Sequence, residues 1–222
     1  VRSLLSTFLV TLLCVTSANA AQVDLPIMLD KLIGGDDFVI IGDLRFENFV
    51  YPADSVVQGD MPFASQIAVQ PTPGDSGIRF TGPFIDLPGG VGNGASDATM
   101  GFDVSVTSGA QIVSANLSGN PSLKGEGPGI AEVVETFSGL NDTKLVIFDK
   151  GANLSLNAST DVAATTGLTV LKDILLLTQS DTNAATISVI DQTFTVTPEP
   201  STSALLFVGA MCIGLLRRKR FR

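Results

Sequence analysis

From Met100 to Thr107 the chain alternates without a break. Met100, Phe102, Val104 and Val106 are apolar, and Gly101, Asp103, Ser105 and Thr107 are small or polar. A period of two puts one set on each face of a strand, so this segment predicts a half-buried strand with the four apolar side chains inward. Shorter runs of the same kind recur between turn residues. They predict strands over 38–41, 44–51, 65–70, 77–81 (followed by Pro83-Phe84-Ile85), 112–117, 130–137, 144–148 and 154–158. An apolar lead, 27–33, precedes the first of them. Gly34-Gly35-Asp36-Asp37, Gly119-Asn120-Pro121 and 125–129 supply turns. Many short strands punctuated by Gly, Pro, Asn and Asp predict an all-β fold: a single antiparallel β-sandwich, jelly-roll-like or Greek-key, over residues 21–196.

Two places break the alternation. Phe49 is out of phase with Leu44 and Phe46, which predicts a bulge. In the last strand Ile187 and Val189 are odd-numbered, whereas Phe194 and Val196 are even-numbered. An unbroken strand would put the pairs on opposite faces, so an irregularity is expected near Ile190-Asp191 that returns all four to the core. Residues 168–177 fit two patterns. Leu168, Leu171 and Leu175 suit a helix face, while Val170, Ile174 and Leu176 suit a strand.

Neither end belongs to this pattern. Arg2 precedes an apolar run, 4–15, and Ala18-Asn19-Ala20 places small residues one and three before a cut ahead of Ala21. Charged start, apolar centre and A-x-A site predict a cleaved signal peptide over 1–20, with Ala18 and Ala20 as its cleavage determinants. Cys14 follows Leu13 rather than a small residue, which argues against a lipoprotein site. At the other end, Pro198-Glu199-Pro200 is followed by an apolar run, 204–216, and by Arg217-Arg218-Lys219-Arg220-Phe221-Arg222. A helix over 201–216 would be about 24 Å long at about 1.5 Å per residue, short against a hydrocarbon core of about 30 Å. The two prolines hold Glu199 in an extended segment at the membrane edge, open to a protease. The basic cluster keeps the tail cytoplasmic and places residues 21–196 on the other side.

This ending resembles the PEP-CTERM sorting signal of Gram-negative bacteria, here residues 197–222. Pro198, Glu199 and Pro200 match its triplet, and Arg217, Arg218, Lys219 and Arg220 its basic end, on either side of one transmembrane helix. Several body segments are similar to the same group. Val170-Leu171-Lys172-Asp173-Ile174, then Ser188, Ile190, Gln192 and Phe194, resemble a C-terminal hairpin in which V-x-K-D-I leads to S-x-I-x-Q-x-F. That likeness decides 168–177 in favour of a strand. Phe46-Glu47-Asn48-Phe49, 77–84 and 115–120 are similar to other segments of the group. The resemblance implies an exosortase-type processing enzyme as partner and a precursor anchored in the inner membrane through its C-terminal helix. It also implies delivery to the outer surface or extracellular matrix, and a structural role linked to exopolysaccharide and biofilm. Exopolysaccharide is then a further partner. The alternative is a carbohydrate-binding module of the envelope or matrix.

Composition narrows the chemistry. Removing Arg2 and the five basic residues of the tail leaves 7 basic and 22 acidic residues over 21–200, a formal charge of 7 − 22 = −15, against −9 for the whole chain. Such a surface repels nucleic acid. The body has no cysteine, since the two lie at 14 and 212, so it rests on its core without disulfides. The chain has no histidine, which removes Ser-His-Asp and Cys-His catalysis and the usual zinc sites. With no Trp and one Tyr, Tyr51, platforms for stacking sugar rings are few. The glycine-rich stretch 88–94 lacks the Gly-Lys-Ser/Thr and helix of a phosphate loop. Glu132 and Glu135 are three apart, so on a strand they point to opposite faces and do not converge as a catalytic pair; both are expected to be solvated or turn-facing. The acidic turns at Asp36-Asp37 and 93–97 read as solvated loops, and the sequons at Asn116, Asn141, Asn153 and Asn157 as chance. No enzyme activity, cofactor, catalytic residue or metal ligand is assigned.

Overall fold

The computed structural model describes residues 21–52, 59–88, 95–125, 127–138, 143–179 and 182–197. The predicted signal peptide with Ala18 and Ala20, most of the 88–94 stretch, Asn141, and the whole ending from Pro198 to Arg222 lie outside the described residues.

Among the described residues, fourteen strands form two antiparallel sheets that face each other. They are β1 (Ile27–Met28), β2 (Val39–Ile41), β3 (Leu44–Val50), β4 (Ala68–Pro71), β5 (Gly77–Asp86), β6 (Ala95–Val106), β7 (Gln111–Gly119) and β8 (Ser122–Lys124). Then come β9 (Gly129–Phe137), β10 (Lys144–Asp149), β11 (Leu154–Ser155), β12 (Asn157–Thr165), β13 (Gly167–Thr178) and β14 (Ala184–Thr197). Sheet one has the order β1-β4-β5-β14-β7-β12, with β8 also paired to β14; sheet two runs β11-β10-β9-β13-β6-β3-β2. From β11 onward each strand changes sheet, so β12 and β14 lie in sheet one and β13 between them in sequence lies in sheet two. Among the described residues the helical elements are two single 3-10 turns, Leu29–Lys31 and Ala64–Gln66.

The predicted alternation is what builds the core. Met100, Phe102 and Val104 of β6 are buried and Val106 is partly buried against them. Across the gap, Ile78, Phe80 and Phe84 of β5 and Ile187, Ile190 and Phe194 of β14 are buried. Phe102 stands in the middle. Its ring lies 5.7 Å from Phe46, edge on, 5.9 Å from Phe49 and 5.8 Å from Phe80 of the opposite sheet. Residues 168–177 are strand, with Leu168, Val170, Ile174 and Leu176 inward.

Both expected irregularities exist, one of them displaced. Asn48 adopts φ +55°, the register of β3 against β6 shifts between Glu47 and Val50, and Phe46 and Phe49 are both buried. In β14 the break lies between Ile187 and Val189, before the expected Ile190-Asp191. Ile190, not Val189, therefore enters the core. The reason is a long-range side-chain contact: Asn120 Oδ1 accepts from the N–H of Ser188 (2.9 Å) and of Val189 (2.8 Å), and Asn120 Nδ2 donates to Ser188 Oγ (2.7 Å). A side-chain amide replaces the ladder at that point.

Three strand boundaries differ from expectation. Ala64–Gln66 is a 3-10 turn closed by Phe63 N–H donating to Gln66 Oε1 (2.9 Å), so β4 begins at Ala68. The run 38–41 is an edge strand with Ile40 facing out. The run 154–158 is divided at Leu156 into β11 and β12, which belong to opposite sheets. Most of β12 is polar or alanine on both sides, as suits an edge strand, and so carries little period-two signal.

The bulge at Asn48 generates a prediction. A β-branched residue is strained in the left-handed region, so Asn48→Val should lower stability by about 1–2 kcal/mol. Asn48→Gly should cost less despite losing the bond from Asn48 Nδ2 to Asp103 Oδ2 (2.7 Å). Urea denaturation of both variants measures the difference.

Candidate functional site

The inward faces carry polar residues where the alternation calls for apolar ones. On β13 the inward set reads Leu168, Val170, Lys172, Ile174, Leu176. On β9 it reads Ala131, Val133, Glu135, Phe137. Register places Lys172 directly opposite Glu135, with Met100 opposite on its other side. From sheet one, β14 presents Ile190, Gln192 and Phe194, with Gln192 between Ile78 and Leu117. Lys172, Glu135 and Gln192 are each fully buried.

These three side chains meet between the sheets. Lys172 Nζ donates to Gln192 Oε1 (2.6 Å) and to Glu135 Oε2. The ammonium also lies 5.9 Å from the centre of the Phe102 ring. Glu135 Oε1 and Gln192 Nε2 make no hydrogen bond of regular geometry among the described residues. Burial pushes the Glu135 carboxyl up, against the charge and hydrogen bond of Lys172 and a weaker hydrogen bond from Gln192. Burial likewise pushes Lys172 down, against Glu135. Both directions have one cause, since a charged form loses its hydration inside the sandwich. Each shift acts against the charged form of its group, and the contact between the two groups acts the other way.

Glu132 and Glu135 do point to opposite faces of β9, as their spacing predicts. The expectation that both are solvated is corrected for Glu135, which shares the parity of Val133 and Phe137 and is sealed in the core. Glu132 lies on the outer side, paired with Lys150 at 2.5 Å. Nearby on that outer side, Asp173 and Asp97 form a carboxylate pair. Partial desolvation first, and then the charge and hydrogen bond of Asp97, raise the pKa of Asp173. Among the described residues no group of three or more Cys, Asp or Glu is placed to hold a metal ion.

A second buried polar node lies at the end of the sandwich where β5 and β13 finish and β6 begins. Asp86 is fully buried. Its Oδ1 accepts from Ser96 Oγ (2.8 Å), and its Oδ2 from Thr178 N–H (3.0 Å) and Thr178 Oγ1 (2.6 Å). Ser96 Oγ in turn accepts from Asp60 N–H (2.8 Å). The node ties β5 of sheet one to β6 and β13 of sheet two.

The solvent sides differ in character. Sheet one shows a polar ladder in which Arg79 grips Asp191 through two bonds of 2.7 Å, Gln70 Nε2 donates to Thr81 Oγ1 (3.1 Å) and Asn116 Nδ2 to Thr193 Oγ1 (3.3 Å). Sheet two carries a shallow depression of about 320 Å³ with Asp103, Ser105, Ser138, Gly167 and Thr169 in its lining.

No family model and no curated protein matches the chain. Among solved structures, TmCBM61 in complex with β-1,4-galactotriose aligns over 66% of this chain and 88% of that chain, at 8% identity and a TM-score of 0.29. Neither its ligand nor its site is carried over to this chain.

The Asp86 node generates a prediction. Asp86→Ala leaves buried donors of Thr178 and Ser96 without an acceptor and should cost about 3 kcal/mol, at roughly 1–3 kcal/mol per orphaned group. Asp161→Ala on the exposed side of β12 should change stability by no more than about 0.5 kcal/mol. Denaturant midpoints of the two variants provide the comparison.

Proposed function

We propose that the chain is an exported protein of the cell surface or extracellular matrix, sorted through a PEP-CTERM-type ending and structural in role. The observation that carries this reading is the three-part ending itself: Pro198-Glu199-Pro200, the apolar run 204–216 and the basic cluster from Arg217 to Arg220. The position of the triplet supports it, because β14 is hydrogen-bonded to β7 as far as Thr197. The triplet thus begins one residue after the last strand. A structural role is supported by where the unusual side chains lie. Glu135 and Lys172, both pushed toward their neutral forms by burial, are closed off from any dissolved substrate.

A second reading, a carbohydrate-binding module of the matrix, is favoured by the polar ladder of sheet one. Its guanidinium, amide and hydroxyl groups suit the hydroxyls of a neutral polysaccharide. Arg79→Ala would weaken retention on immobilised polysaccharide under this reading, and leave it unchanged under the first.

The sorting reading predicts a specific failure. Replacing Pro198, Glu199 and Pro200 by alanines keeps the apolar run and lets a helix extend outward. The variant should accumulate uncut in the inner membrane while the wild type leaves it shortened. Cell fractionation with intact-mass measurement reads the outcome. If both forms keep residues 201–222 and partition alike, the ending is an anchor and not a signal.

A further inference from the structure

We propose that Lys172 and Gln192 join covalently, through an amide bond between Lys172 Nζ and the Gln192 side-chain carbonyl carbon, with Glu135 as the proton relay. The site is an amine, a carboxamide and a carboxyl group brought together in a sealed apolar layer. The amine nitrogen lies 2.6 Å from Gln192 Oε1, and the carbonyl carbon is about 1.2 Å from that oxygen. Glu135 Oε2 touches the same amine, and its Oε1 is uncommitted. Gln192 Nε2, the nitrogen that would depart, makes no hydrogen bond of regular geometry among the described residues and interacts with the Glu135 carboxyl group.

The chemistry balances without any further reagent. A proton passes from Lys172 to Glu135, leaving a neutral amine. Nζ attacks the Gln192 carbonyl carbon, and the carbonyl π pair moves onto Oε1. As the tetrahedral centre collapses, Glu135 supplies a proton to Nε2 and receives one from Nζ. The carbon–Nε2 bond breaks, ammonia leaves, and a secondary amide remains. Nothing is oxidised or reduced. The raised pKa of Glu135 and the lowered pKa of Lys172 suit a relay that begins with neutral partners. Fixed neighbours react with a large entropic advantage over free ones. Full burial of all three residues excludes the water that would compete for the carbonyl. The product also removes an ionisable amine from an apolar layer where its charged form is costly.

The bond would run from β13 of sheet two to β14 of sheet one. It would be a cross-sheet tie in a body without cysteine, placed on the strand that leads to Thr197. The inference does not depend on the sorting reading, and its test leaves that reading untouched.

The test is a peptide map of the full-length chain purified from cells and denatured. A protease that cuts before aspartate cleaves at Asp161, Asp173, Asp181 and Asp191, and so excises 173–190. The expected result is that 161–172 remains attached to the peptide beginning at Asp191, with a mass about 17 Da below the sum of the two. Lys172→Arg should yield the two peptides separately, and Glu135→Ala should abolish or strongly reduce the attachment. Two separate, unmodified peptides from the wild type would overturn the proposal whatever the variants do. A loss of about 18 Da, with 161–172 attached to the peptide that holds Glu135, would overturn the assignment to Gln192. Attachment that persists fully in Glu135→Ala would overturn the relay.

Discussion

The sandwich depends on the contact between its two inward faces, and at Phe102 three other aromatic rings converge on that contact. Phe46 and Phe49 reach it from the neighbouring strand and Phe80 from the opposite sheet. With no cysteine in the body, this apolar layer and the polar groups within it must hold the sheets together. That demand explains the irregularities. A seven-residue β3 can place both Phe46 and Phe49 inward only by spending one residue at Asn48, and β14 can bury both Ile187 and Ile190 only by breaking its ladder at Ser188, where Asn120 takes over the hydrogen bonds. In both cases an asparagine resolves a conflict between strand geometry and core filling.

The same layer contains Lys172, Glu135 and Gln192. Buried ionisable groups are a poor source of net stability, but they are sensitive to register. A one-residue slip of β13 would carry Leu171 and Asp173 into the core and Lys172 out to solvent, away from both partners. The Asp86 node acts similarly at one end of the sandwich, where its three hydrogen bonds are satisfied only if the ends of β5 and β13 and the start of β6 lie at matching heights. The two polar nodes therefore specify how the sheets are aligned, while the apolar side chains around them supply the buried surface.

Charge is distributed to the same effect. Of the seven cationic residues of the body, Lys31, Arg45, Arg79 and Lys150 each sit against a carboxylate at the surface, and Lys172 is buried. The excess of acid is consequently presented outward. A strongly negative surface favours solubility and repels other polyanions.

Much of this was legible from the sequence by physical necessity. Period-two alternation at 100–107 admits only a strand with Met100, Phe102 and Val104 inward, and the phase of Phe49 required a bulge. The parity of Glu135 with Val133 and Phe137, and of Lys172 with Val170 and Ile174, was also readable along the chain. Composition argued the other way, because an isolated charge is not expected to enter a core. What parity cannot supply is the partner. Lys172 and Glu135 are 37 residues apart in sequence, and Gln192 reaches them from the other sheet. Only strand register and the closing of the two faces bring them together. The position of the break in β14 was beyond the sequence for the same reason: it is set by the amide of Asn120, 68 residues away. Local alternation determines which side of a strand a residue faces. Which residue it meets there depends on pairings between distant segments, and these exist only in the folded sandwich.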